Sequence, residues 1–67
     1  MTVYKAIIDN KLYIAKLQAV PDGVFLRLMY QSPGMEVKTI GGKVFKSEYT
    51  ALESVRHRYP GITWEPV

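Results

Sequence analysis

The fold is decided by residues 2–20, which read TVYKAIIDNKLYIAKLQAV. Apolar and polar residues alternate on both sides of Asp9-Asn10, and this period of two is typical of β-strands with one buried face. Asp and Asn both tolerate the left-handed backbone conformation that a two-residue hairpin turn requires. The stretch therefore predicts two antiparallel strands, Thr2–Ile8 and Leu12–Val20, joined by a tight turn.

Two further turn sequences continue the sheet. Pro21-Asp22-Gly23 combines a preset φ, a side chain that bonds its own backbone and a residue that accepts positive φ, and Ser32-Pro33-Gly34 is a second turn. They bound a third strand, Val24–Gln31, and a fourth, Met35–Ile40. We expect the pair Gly41-Gly42 to interrupt the sheet as a bulge or loop. The sequence thus predicts an antiparallel β-meander of about four strands.

The hydrophobic period changes to that of a helix after Ser47. Ser47 is the expected N-cap, and Pro60-Gly61 is expected to end the helix. The tail, residues 62–67, alternates and predicts a short fifth strand at a sheet edge, where Pro66 is tolerated because it need not donate. Residues 1–67 are therefore one small α+β domain, with one C-terminal helix packed on one face of the sheet. The apolar stripe of that helix is Ala51, Leu52, Val55 and Tyr59.

Turn lengths fix which residues of neighbouring strands lie opposite each other. With a two-residue first loop and four-residue second and third loops, the pairs beside the turns are Ala6 with Tyr13, Ala19 with Val24, and Tyr30 with Met35. We expect the apolar face that results to receive the helix and form the core. This face carries Tyr4, Ala6, Ile8, Tyr13, Ala15, Leu17, Val24, Leu26, Leu28, Tyr30, Met35 and Val37.

The opposite sheet face carries a predicted row of cations. In the same register Lys16, Arg27 and Lys38 lie directly opposite one another on three strands, and Lys5 lies one strand further out. Like charges opposed in this way destabilise a sheet. Glu36, diagonal to Arg27, is the one carboxylate expected nearby. The residues expected to flank the row include Gln18, Phe25, Met29, Gln31 and Ile40.

Such a row favours a polyanionic partner, although Lys, Arg and Gln are also common on solvated sheet faces. The net charge of +3 and a pI of about 9.3 point the same way. Basic side chains beside an aromatic ring and an amide suit contacts to a phosphate backbone and to base edges. We therefore expect a non-enzymatic nucleic-acid-binding accessory or regulatory protein whose partner is DNA, with Arg56 and Arg58 of the helix adding to the surface.

The same face is also more apolar than a purely solvated surface, because Val3, Leu12 and Val20 project from it as well. An apolar patch rimmed by charge is typical of protein partners. The alternative function is therefore a small inhibitor or adaptor that binds a host protein, or a homodimer. The residues for this alternative are Ile7, Ile14, Phe25 and Met29.

The sequence offers little for catalysis. It has no cysteine and one histidine, His57, which we expect to be solvated at the helix end, so no metal site or cofactor is predicted. Gly41-Gly42-Lys43 lacks the spacing of a phosphate-binding loop and is interpreted as a turn. Trp64 is expected to pin the tail over the core rather than to anchor a partner. We expect no enzymatic activity.

No apolar run approaches the roughly 18 residues that span a bilayer. The start of the chain, residues 1–5, lacks the basic and then apolar pattern of a signal peptide. The sequence therefore predicts a cytoplasmic protein with no membrane partner.

Phe45-Lys46-Ser47 with Ala51, just after the glycine pair, resembles the sheet-to-helix junction of three-stranded-sheet DNA-binding domains of the integrase arm-binding and AP2 type. The resemblance covers residues 41–52 and the order of the elements before them. It implies that the exposed sheet face enters the major groove while the helix packs behind it. The DNA contacts implied are Lys16, Arg27 and Lys38, with Leu52 and Val55 as support.

The end of the chain, residues 51–67, carries a second resemblance. Its helix, Pro-Gly pair and short strand are similar to the ending of very small phage-encoded proteins that bind and inhibit host enzymes. This resemblance implies the protein-binding function instead.

Overall fold

The computed structural model describes residues 1–67 as one five-stranded antiparallel sheet with one helix packed on it. The strands lie side by side in the order β4-β3-β2-β1-β5. The α+β architecture, including the short strand after the helix, is as the sequence predicted. The elements are β1 (Thr2–Ile8), β2 (Lys11–Val20), β3 (Gly23–Gln31), β4 (Lys38–Phe45), α1 (Glu48–Arg58) and β5 (Glu65–Pro66).

Tight turns set the register of the first three strands. Asp9 and Asn10 have φ angles of 50° and 68°, the left-handed geometry of a two-residue hairpin. Ala6 lies opposite Tyr13, and on the next pair of strands Ala19 lies opposite Val24, so both predicted registers are confirmed. Because side chains alternate along a strand, these pairs fix the face of every residue in β1, β2 and β3.

The turn between β2 and β3 requires glycine. Val20 pairs with Gly23, so the loop proper is Pro21-Asp22, two residues shorter than expected but with the same register. Gly23 has a φ of 141°, and a Cβ built there would collide with the carbonyl oxygen of Phe45. A side chain at this position is excluded both by the backbone conformation and by the neighbouring strand.

The fourth strand begins later than predicted. β4 starts at Lys38 instead of Met35, because residues 32–37 form a loop. Within this loop the Met35 N–H donates to the Ser32 carbonyl at 3.0 Å. The Gln31 side-chain amide donates to the Met35 carbonyl, also at 3.0 Å. Met35 and Val37, predicted to be in the core, are 55% and 47% exposed. Their assignment to the apolar face was wrong.

The register of β4 also differs from the prediction. Tyr30 lies opposite Lys38 rather than Met35. The register then shifts, since Met29 pairs with Thr39 and Leu28 pairs with Gly41, which leaves Ile40 as the extra residue of a β-bulge. A bulge was thus predicted in this part of the strand and is present, but it lies at Ile40, and Gly41-Gly42 continue the strand beyond it. Ile40, expected on the opposite face, packs against the core.

The core lies between the sheet and α1. Ser47 is the N-cap, as predicted, and its Oγ accepts a hydrogen bond from the Thr50 N–H at 3.1 Å. Leu52 and Tyr59 pack against the core, and the Tyr59 ring lies 5.1 Å from the Tyr13 ring, centroid to centroid. The buried residues are Ala6, Tyr13, Ala15, Leu17, Leu26, Leu28, Ala51, Val55 and Ile62.

The tail after the helix completes the core. Ile62 is only 1% exposed, although nothing in the sequence marks it as a core residue. Trp64 is half-buried and packs on the core, which confirms its predicted role as the pin of the tail. β5 then pairs with β1, Glu65 opposite Lys5. No helix in this structure has the length and apolar character needed to cross a membrane.

Candidate functional site

The side of the sheet that faces away from α1, called here the open face, is not covered by any segment of the chain. The tail runs along its edge, where the Val67 N–H donates to the Val3 carbonyl at 3.0 Å. None of the side chains on the open face is fully buried. This surface is therefore available to a partner.

Two cations lie side by side in the middle of the open face. Lys16 on β2 lies directly opposite Arg27 on β3, as predicted, and both side chains are exposed. The one ion pair in the structure joins Arg56 to Glu53 on the helix. Lys16 and Arg27 thus have no carboxylate partner, and their mutual repulsion is not offset within the protein.

The two cations share a shallow hollow of about 160 Å³ with an aromatic ring and an amide. Gln18 lies opposite Phe25 in the next row of the sheet. The Phe25 ring lies against Gly42. A Cβ built on that glycine would be only 2.7 Å from the ring atom Cζ. Met1 also lines the hollow. Sequence reasoning missed this residue, which precedes the first strand and carries no pattern.

Lys5 lies one strand further out on the open face, as expected. Its neighbour on β2 is Ile14, so it is offset along the strands from Lys16. On its other side it lies opposite Glu65 of β5. The sequence did not predict this acidic neighbour, because a short strand after a helix offers no turn from which to count a register. Of the three cations Lys5, Lys16 and Arg27, Lys5 is the one with a carboxylate opposite it on the neighbouring strand.

Lys38 does not belong to the cation row. It lies opposite Tyr30 and therefore on the α1 side of the sheet, and the residue opposite Arg27 is Gly42. Glu36 lies in the loop before β4 and not on the strand diagonal to Arg27. The bulge and the late start of β4 cause both differences. The row consists of Lys16 and Arg27, with Lys5 diagonal to it.

Arg56 and Arg58 are on α1, on the other side of the sheet. Arg56 donates from Nη1 to Glu53 Oε1 at 3.2 Å. The structure therefore separates these two residues from the sheet cations with which the sequence grouped them.

The four residues of the alternative, protein-binding interpretation all lie on the open face. Ile14 lies directly opposite Met29, and Ile7 lies next to this pair and is 74% exposed. Phe25 belongs both to this set and to the hollow. Ile7, Ile14 and Met29 lie between the Asp9-Asn10 turn and the pair of cations Lys16 and Arg27. Phe25 lies on the other side of this pair, so it is separated from the other three.

His57 is exposed on α1, and no three metal-ligating side chains come together anywhere in the structure. Comparisons with protein-family models, curated proteins and solved structures find no match to this chain. What the open face can bind therefore follows from its own chemistry. Two unpaired cations beside an amide and an aromatic ring can hold an anion that also presents flat apolar surfaces.

Proposed function

We propose that the chain is a non-enzymatic nucleic-acid-binding protein that contacts the phosphate backbone of DNA through Lys16 and Arg27. The observation that carries the proposal is the directly opposed pair of cations with no carboxylate partner. Two like charges side by side cost stability in the free protein. A phosphate group offsets this cost, because each cation gains a charge-assisted hydrogen bond.

The surroundings of the pair support the same partner. Gln18 carries an amide that can donate to and accept from a base edge, and Phe25 carries an apolar ring that can contact the methyl group of thymine in the major groove. Lys5 adds a third cation at the next strand. The buried Val55 and the partly buried Leu52 pack α1 against the reverse side of the sheet. The helix therefore supports the sheet from behind and leaves the open face free for DNA.

The size of the cation group sets the expected salt dependence. Each phosphate neutralised on duplex DNA releases bound counterions, and three contacts give a slope of log affinity against log salt of about −2.7. Affinity should then fall about 40-fold between about 50 and about 200 mM salt.

The proposal is tested by fluorescence anisotropy with a short labelled duplex. The double variant Lys16→Gln/Arg27→Gln should bind at least about tenfold more weakly at low salt, and its salt slope should fall by about 1.8. The matched control is Arg56→Gln/Arg58→Gln, which removes the same charge from the opposite side of the sheet. Equal losses in both double variants, or no binding by the unaltered chain at low salt, would remove the proposal.

A second candidate function rests on the exposure of Ile7 beside the Ile14–Met29 pair. We propose this apolar part of the open face as the contact for a protein partner, including a second copy of the chain. Such association depends on buried apolar area and not on salt. Sedimentation of the chain at rising concentration in high salt tests self-association, and Ile14→Gln/Met29→Gln should abolish any dimer that forms. A dimer that persists in this variant would exclude the contact.

A further inference from the structure

On the side of the sheet that carries α1, the helix and the edge strand β4 do not close against each other at Gly41. This residue lies opposite Leu28 and hence on the helix side, and a Cβ built on it would meet no atom within 4 Å. The gap is a cleft of about 220 Å³. Its apolar wall consists of Leu26, Leu28, Ile40, Phe45 and Val55.

This volume is enough for a small organic ligand. A cavity of about 150 Å³ lined by such side chains holds a benzene ring. The cleft therefore has room for one aromatic ring, or a short alkyl chain, and a few further atoms. It is open to solvent on the β4 side because glycine leaves this position of the strand without a side chain.

The polar part of the lining is positively charged. It consists of Lys43, Arg58 and Ser54, and no Asp or Glu lines the cleft. The Lys43 Nζ lies 5.6 Å from the centroid of the Phe45 ring, which itself forms part of the wall. Neither cation takes part in an ion pair. An apolar pocket with two unpaired cations and a hydroxyl at its rim is complementary to an amphipathic anion.

We propose that the cleft between α1 and β4 binds a small molecule with an apolar body and a carboxylate group. The apolar body lies against Leu28 and Val55, and the carboxylate accepts hydrogen bonds from Lys43 and Arg58. The site is on the opposite side of the sheet from Lys16 and Arg27. It stands independently of nucleic-acid binding.

The probe for this site is phenylbutyrate, titrated into the protein and followed by proton–nitrogen correlation spectra. Saturable shifts are expected at the amides of Ile40, Gly41 and Val55. Phenylbutanol, which has the same apolar body without the charge, should bind about two- to fivefold more weakly, the value of a solvent-screened ion pair. N-acetyl-phenylalanine, in a parallel titration, presents the carboxylate of a peptide end. Its affinity relative to phenylbutyrate distinguishes a peptide terminus from a free acid.

A substitution that fills the cleft provides the sharpest test. Gly41→Val has the space it needs, its φ lies outside the left-handed region, and a β-branched side chain suits a strand. This variant should fold and lose binding of phenylbutyrate. Thr39→Val makes a similar change on the open face of the same strand and should leave probe binding unchanged. Lys43→Gln and Arg58→Gln should each weaken binding about two- to fivefold.

Unchanged probe binding in a folded Gly41→Val variant would overturn the proposal, as would equal affinity for the acid and the alcohol. If Gly41→Val does not fold by circular dichroism, Gly41→Ala replaces it. The single methyl group must then weaken binding of phenylbutyrate, and an unaltered affinity would count against the site.

Discussion

Arg27 lies directly opposite Gly42 in the sheet. No side chain on β4 stands beside the guanidinium, so the cation row that begins at Lys16 ends at β3. The neighbouring Phe25 ring leans over the glycine, since a Cβ at Gly42 would lie 2.7 Å from Phe25 Cζ. This glycine therefore limits the width of the row and also sets the position of the ring beside it.

The two glycines of β4 should respond differently to the same substitution. Gly41→Ala meets no atom and reduces the freedom of the unfolded chain, so it should raise the free energy of unfolding by about 0.4 to 1 kcal/mol. Gly42→Ala must displace the Phe25 ring, and we expect a loss of about 1 kcal/mol. Urea denaturation of the two variants measures the difference. Equal stabilities would show that Phe25 does not rest on Gly42.

Reversing one charge of the cation pair should increase stability. Lys16→Glu places a carboxylate directly opposite Arg27, and the free energy of unfolding should rise by about 0.5 kcal/mol at low salt. The same change on the helix side, Lys38→Glu, has no cation opposite it and should give no comparable gain. Urea denaturation at low and high salt measures both. A Lys16→Glu variant no more stable than the unaltered chain would show that the pair is not repulsive.

The helix cap gives a prediction about thermal stability. Ser47 Oγ accepts from the Thr50 N–H at 3.1 Å, and Ser47→Ala removes this bond at a cost of about 1 kcal/mol. In a domain of this size the melting temperature should fall by about 4 to 8 °C. Ser54→Ala, in the exposed middle of α1, is the control and should not lower it. Equal melting temperatures for the two variants would exclude a capping role.

Two substitutions of Trp64 separate the contributions of its apolar ring and its N–H group to the free energy of unfolding. Its Nε1 is buried without an acceptor in the protein. Trp64→Phe removes this unpaired donor and should cost less than about 1 kcal/mol, whereas Trp64→Ala removes the packing and should cost about 3 kcal/mol. Urea denaturation monitored by circular dichroism measures both. A Phe variant as unstable as the Ala variant would contradict this prediction.

The sequence predicted the first three strands well because their turns are short. Loops such as Asp9-Asn10 leave few ways to join two strands, so counting outward from the turn gives the register. The same reasoning failed after β3. Ser32-Pro33-Gly34 has equally good turn residues, but the loop extends to Val37, and the alternation of Met35 and Val37 imitates a strand.

The error in β4 placed one of the predicted DNA contacts, Lys38, on the wrong face of the sheet. A register change and a bulge together placed Lys38 beside Tyr30 instead of Arg27. The glycine pair was expected to interrupt the fourth strand as a bulge or loop, and the bulge lies one residue earlier, at Ile40. Only the tertiary contact with Phe25 shows why Gly42 fits within the strand. The separation of Arg56 and Arg58 from the open face likewise depends on which side of the sheet α1 covers. Local patterns do not contain this information.

The proposed binding of DNA requires that the open face contacts the phosphates. Chemical-shift mapping with a short DNA duplex at low salt tests this directly, with the side-chain Nε–Hε group of Arg27 compared with that of Arg58. We predict the largest shifts at Arg27, Gln18 and the backbone around Lys16, and little change at Arg58. Shifts concentrated on α1, or a spectrum that DNA leaves unchanged, would contradict the account.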